Sequence, residues 1–267
     1  MLHRSILASI LAPLALVLCA LGAPAPARAM ELVTVYAAAS TKPVIDALTP
    51  AMEQRRLAIR AVHAGTATLA RQIELGAPDV DVFISANVKW MDYLHAQGLL
   101  EPGARRDVAT NRLVLIAAAA VPANTTLDLT DASNAADAIA RVLNGERLAI
   151  AEPDTVPAGI YGKEALQALH AWDRLKDRLA PTRDVTGALL LVARGETPLG
   201  LVYQSDARRV AGVRIVGVFP AASHTPIVYQ AALLKGRASD APLGLLDVLT
   251  GPQGQAAFGA AGFGGRP

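Results

Sequence analysis

The chain is 267 residues long, with 52% hydrophobic and 18% charged residues and a formal net charge of +2. So balanced a chain carries no basic footprint for nucleic acid and no polybasic patch for a membrane surface, and its single cysteine cannot form an internal disulfide. Its length allows one large domain or two lobes with substantial cores.

Residues 1–29 read as a cleaved secretory signal. His3 and Arg4 precede an apolar run from Ile6 to Leu21, and a Pro/Ala stretch ends in Ala27-Arg28-Ala29, with cleavage expected after Ala29. The apolar run is short and interrupted by Pro13, so it does not suit a membrane span. Leu18 is too bulky a neighbour for Cys19 to be a lipid-attachment cysteine. Removing residues 1–29 leaves 238 residues, with 23 basic against 23 acidic side chains and no cysteine. The expected destination is the periplasm, where stability must come from packing alone.

Strand-like runs alternate with helical patterns from there on. Leu32–Tyr36, Val80–Ser85, Leu113–Ala117, Leu148–Ala151, Leu199–Tyr203, Val213–Val218 and Ile227–Leu234 are short and rich in Val, Ile and Leu, as buried strands of an α/β fold are. Apolar helical stripes are expected at Val44, Ala47, Leu48 and Ala51, at Leu69, Ala70 and Ile73, at Tyr161, Ala165, Ala168 and Leu169, and at Val185, Ala188, Leu189 and Val192. Pro122–Asn134 reads as a surface loop and Pro220–Thr225 as a second connector. Asp79 and Asp81 read as solvated or capping residues before a strand. No internal repeat is evident. The connectors permit an N-terminal lobe, a central lobe and a chain that returns to finish the first.

Four times a strand-like run leads into a small or hydroxyl residue that opens a helix. The openings are Ala37-Ala38-Ala39-Ser40, Gly65-Thr66, Val156-Pro157-Ala158-Gly159 and Asp184-Val185-Thr186-Gly187. The first N–H groups of a helix have no intrahelical acceptor and lie at the positive end of its dipole, so each opening can hold an anion. On spacing alone Ser40 and Thr66 equally suit ordinary N-caps, and Pro157 an ordinary first helical turn. Lys42 and Arg183 beside two of the openings read as solvated neighbours. Catalytic equipment is sparse: His63, His95, His170 and His224 are scattered, and no Gly-x-Ser-x-Gly elbow, Walker loop or dinucleotide fingerprint occurs. The chain has a receptor's equipment and is not expected to be an enzyme.

Several stretches carry a more specific signal. They are Tyr36-Ala37-Ala38-Ala39-Ser40, Thr68-Leu69-Ala70-Arg71-Gln72-Ile73-Glu74, Asp81-Val82-Phe83-Ile84-Ser85-Ala86-Asn87, Lys89-Trp90-Met91-Asp92-Tyr93, Val156 to Leu166, Asp184 to Leu189, and Pro198-Leu199-Gly200-Leu201-Val202-Tyr203. In their order and spacing, from Glu31 to about Phe263, the chain resembles the periplasmic molybdate-binding proteins of ABC-type molybdate transporters.

That resemblance implies a two-lobed α/β binding-protein fold (type II), each lobe a mixed, mainly parallel sheet flanked by helices, with the ligand cleft between the lobes. It places lobe 1 at residues 30–112 plus 221–267 and lobe 2 at 113–220. It implies a receptor that binds molybdate, and tungstate, through neutral hydrogen-bond donors and delivers it to a membrane permease. No cofactor is implied, and molybdenum is held only as the oxyanion, with no direct metal ligand. The protein is expected to be a monomer that binds no nucleic acid. Residue by residue, Ser40 matches a first-lobe serine offering hydroxyl and N–H. Thr66 stands where the family has a second serine, a departure that adds a methyl group. Ala158 and Val185 match positions that donate backbone N–H, and Tyr203 matches a tyrosine whose phenol reaches the anion. A sulfate- or phosphate-type receptor on the same fold, a periplasmic hydrolase or transferase, and a soluble sensor remain the alternatives.

Overall fold

The computed structural model describes residues 29–208 and 210–267; the expected signal lies almost wholly outside them. The first leg of the chain runs β1 (Glu31–Ala38), α1 (Lys42–Gln54), β2 (Leu57–Ala64), α2 (Thr66–Glu74), β3 (Val82–Ser85), α3 (Val88–Ala96) and β4 (Arg106–Thr110). The second runs β5 (Leu113–Ala118), α4 (Ala132–Leu143), β6 (Leu148–Ala151), α5 (Pro157–Ala168), α6 (Trp172–Leu175), β7 (Leu179–Thr182), α7 (Val185–Ala193), β8 (Leu199–Tyr203), α8 (Gln204–Ala207) and β9 (Val213–Val218). The chain closes with β10 (Val228–Leu233), α9 (Asp240–Thr250) and α10 (Pro252–Ala260).

Two five-stranded sheets result, ordered β2-β1-β3-β10-β4 and β7-β6-β8-β5-β9. In each, three neighbouring strands pair in parallel, and one strand, β10 or β5, runs against the other four. β1 pairs in parallel with β2 and β3, as β6 does with β7 and β8. β10 and β5 are antiparallel to their neighbours. Each sheet carries one register shift, at Tyr229/Gln230 and at Leu115/Ile116. This is a repeat of topology that no repeat of sequence announces.

Burial follows strand position. Every residue of β3, β5, β6 and β8 is buried, so these strands read as continuous apolar runs. The three strands absent from the expected set, β2, β4 and β7, all lie at sheet edges. Each is only partly buried and carries polar residues or proline, such as Arg60 and His63, Arg106 and Asp107, or Pro181.

The helical stripes need two corrections. In α1 the buried residues are Val44, Ile45, Leu48 and Met52, while Ala47 faces solvent. In α5 Leu166 is buried and Ala168 is exposed. In both helices a larger side chain two positions away, Ile45 or Leu166, is buried instead, because it removes more apolar area from water. The loop expected at Pro122–Asn134 ends at Asp131, whose carboxylate accepts the Ser133 N–H at 2.9 Å and starts α4. Asp81 is not solvated. Its Oδ2 accepts the Thr34 N–H at 2.8 Å while its own N–H donates to the Thr34 carbonyl at 3.0 Å, tying β1 to the start of β3.

Candidate functional site

The six strands that pair in parallel send their carboxyl ends toward one place. Ser40 follows β1, Gly65 and Thr66 follow β2, Ala86 follows β3, Val156 to Ala158 follow β6, Asp184 and Val185 follow β7, and Tyr203 ends β8. These residues line a single small chamber between the two sheets. Ligands of open α/β sheets gather at such strand ends. The structure thus brings together all five residues expected at the site, Ser40, Thr66, Ala158, Val185 and Tyr203, and each is buried.

Neither hydroxyl is an ordinary helix cap. Thr41 is the N-cap of α1, Gly65 is the N-cap of α2, and no side chain caps either helix. Ser40 Oγ instead lies 2.8 Å from the hydroxyl of Tyr229. Thr66 Oγ1 accepts the Ala86 N–H at 3.2 Å. Both hydroxyls are held from behind by the wall of the chamber.

On the far side the backbone supplies the donors. Pro157 occupies the first position of α5 and has no N–H, so Ala158 offers the first one. The carboxylate of Asp184 caps α7 by accepting the Gly187 N–H at 2.9 Å, and Val185 follows as the first helical residue with an N–H that has no intrahelical acceptor. Gly159 lets the first turn of α5 pack onto the end of β6, since a Cβ there would stand 2.2 Å from the Ala151 carbonyl oxygen.

Charge is nearly absent from these walls. Among the described residues, no Lys or Arg side chain lines the chamber, and Asp184 is the one formally charged residue that does. Lys42 is turned to the surface, where it pairs with Asp46 at 2.7 Å. Tyr203 is 1% exposed, and its hydroxyl has no aligned hydrogen-bond partner. Burial, and then the neighbouring Tyr229, raise its pKa well above the usual value, so it keeps its proton. A buried donor without a partner costs about 1–3 kcal/mol, a cost that an acceptor in the chamber would remove.

The sheets meet at the chamber rim. Trp90 Nε1 donates to the Thr155 carbonyl at 2.8 Å, linking α3 to the loop before α5. A Cβ on Gly65 would stand 2.6 Å from the Arg183 carbonyl oxygen, so only glycine allows this approach. The sequence reading missed Gly65 as a contact, along with Ala86, Trp90 and Tyr229. The Gly65-Thr66 helix opening pointed to the first of these, whereas nothing local marks Tyr229, 189 residues from Ser40. Among the described residues, no three His, Cys, Asp or Glu side chains come together as a metal site would need.

A small chamber between two α/β sheets, lined by hydrogen-bond donors, is the site of a solute receptor. The profile of the bacterial extracellular solute-binding proteins matches residues 33–264, and the chain belongs to that family. It is 43% identical over 233 residues to the molybdate-binding protein ModA of Escherichia coli K12, covering 86% of this chain and 88% of that protein. The periplasmic molybdate-binding protein of Azotobacter vinelandii superposes with a TM-score of 0.73 at 26% identity, over 86% of this chain and 98% of that one. The sulfate-binding protein SubI of Mycobacterium tuberculosis shares the fold, with a TM-score of 0.70 at 14% identity over 87% and 86% of the two chains.

Proposed function

We propose that this chain is the periplasmic receptor for molybdate, and for tungstate, of an ABC importer. The observation that carries the reading is the chamber itself: five buried donors from both sheets converge on it and, among the described residues, no cation lines it. In this reading the Ser40 and Thr66 hydroxyls, the Ala158 and Val185 N–H groups and the Tyr203 phenol surround one tetrahedral dianion. Fixed donors suit an oxyanion that carries no proton, and the spacing of the donors selects its size. Hydrogen bonds to a charged group contribute roughly 1.5–3 kcal/mol each. Five or more, with about 0.3–2 kcal/mol from each helix start, reach the roughly 8–12 kcal/mol of micromolar-to-nanomolar binding after the costs of association.

Residues 30–112 with 221–267 form one lobe in this reading and residues 113–220 the other. An open state captures the anion on the Ser40 side, and closure brings up Ala158, Val185 and Tyr203. The closed monomer then docks on a membrane permease, after export through a cleaved signal. Parallel calorimetric titration of the mature chain with molybdate, tungstate, sulfate and phosphate tests the reading. Saturable one-to-one heat with the first two and little with the others is expected. No heat with molybdate, or sulfate binding equally well, contradicts it.

A further inference from the structure

Trp90 stands where the two walls of the chamber meet. It lies in the first turn of α3, which Asn87 caps by accepting the Trp90 backbone N–H on Oδ1 at 3.1 Å. Asn87 directly follows Ala86, whose N–H backs Thr66. The indole is 8% exposed, yet its Nε1–H reaches the carbonyl of the exposed Thr155 at 2.8 Å. An indole nitrogen only donates and a carbonyl oxygen only accepts, so the direction of this bond is fixed by its partners. Thr155 immediately precedes Val156, the N-cap of α5, and Ala158 lies one turn further on. One short run, Ala86 to Trp90, therefore backs a hydroxyl on one wall and grips the helix start that forms the other.

Both ends of the bond are braced. The Arg71 guanidinium lies 5.5 Å from the indole centroid and 5.1 Å from that of Tyr93. Tyr93 meets the indole edge to face at 5.3 Å. Arg71 is itself held by Glu74 at 2.9 Å and by the Tyr93 hydroxyl at 2.8 Å. On the other side Lys163 of α5 pairs with Asp154, next to Thr155, at 2.7 Å, and lies 5.1 Å from the Trp172 ring centroid. Groups held in place beforehand lose less freedom when they meet, so the bond forms at low entropic cost. Its partners belong to different walls, so parting the walls must break it.

We infer that Trp90 is a positioning residue that latches the closed chamber, its indole N–H holding the start of α5, and with it the Ala158 N–H, on the anion and slowing release. The inference rests on reading the chamber as an oxyanion site that closes. Capture on the Ser40 side precedes the bond, so the latch acts on departure and not on arrival.

The experiment compares the mature wild-type chain with Trp90→Phe, which keeps an aromatic ring and deletes the N–H. Dissociation is read from release of radiolabelled molybdate into excess unlabelled molybdate, and the affinity by calorimetry; together they give the association rate. Trp90→Phe should release molybdate about 3- to 10-fold faster, the worth of one neutral hydrogen bond, with association within about twofold of wild type. A second readout is the indole N–H proton signal in NMR spectra. The chain has two tryptophans, and the signal missing from Trp90→Phe identifies Trp90. In the wild type, molybdate should move that signal downfield and slow its exchange with solvent. A ring that only packs would lower the melting temperature of the anion-free variant and leave release within about twofold of wild type. That result, or a Trp90 signal that molybdate leaves unmoved, overturns the inference. If the wild type binds no molybdate, the oxyanion reading falls, and this inference with it. If the wild type binds and either readout fails, this inference alone falls.

Discussion

The two walls of the chamber solve one problem by different means. The wall after β1 to β3 presents hydroxyl side chains, Ser40 and Thr66, backed by the Tyr229 hydroxyl and the Ala86 N–H. The wall after β6 and β7 presents main chain, the first N–H groups of α5 and α7, on residues as plain as Ala158 and Val185. Tyr203, at the end of β8, adds the one hydroxyl on that side. Side-chain donors can be removed by mutation and can be read in a sequence. Backbone donors resist both, because any residue except proline supplies them.

The sharpest break of that comparison is Ser40→Ala. It removes a donor to the anion and deprives the buried Tyr229 hydroxyl of its Ser40 partner, so affinity for molybdate should fall by about 1.5–3 kcal/mol or slightly more, read by calorimetry. Tyr203→Phe should weaken binding by a similar amount through one lost bond. Unlike Ser40→Ala, it should also raise the melting temperature of the anion-free protein. The buried hydroxyl that it deletes has no aligned partner, and each kcal/mol recovered is worth about 2–4 °C in a chain of this size. Affinity and stability moving apart in this way is the signature of a residue held for its ligand.

Gly65→Ala tests the contact between the walls rather than either wall. Its Cβ would press on the Arg183 carbonyl oxygen at 2.6 Å. Closure should weaken by about 1–3 kcal/mol, the usual cost of overpacking, seen as a smaller molybdate-induced thermal shift with little change in the anion-free melting temperature. Lys42→Ala should do least. Its ammonium pairs with Asp46 on the surface, with both side chains more than half exposed, and exposed pairs of this kind contribute little. Affinity should stay within about twofold at moderate salt. A large loss would show that formal charge, and not neutral donors, holds the anion.

Legibility divided along the same line as the two walls. The buried strands stood out as apolar runs, whereas the edge strands β2, β4 and β7 did not, because one solvated face and residues such as Arg60, Asp107 and Pro181 blur the pattern. The helix openings were visible as strand-to-helix junctions, yet Ser40 and Thr66 equally suited caps until the fold gave their hydroxyls other partners. Ala158 and Val185 lay in two of those openings, but their side chains offered no signal, and similarity to a known family singled them out.

The sequence by itself determined the alternation of strands and helices and the places where helices begin. Local periodicity and turn chemistry encode each of these within a few residues. Tertiary structure decided which beginnings share a chamber, that Gly65 meets Arg183, that Trp90 reaches Thr155, and that Tyr229 backs Ser40. Those contacts join residues 65 to 189 positions apart in the chain, and no local pattern can carry information over such separations. The order of strands in the two sheets creates them.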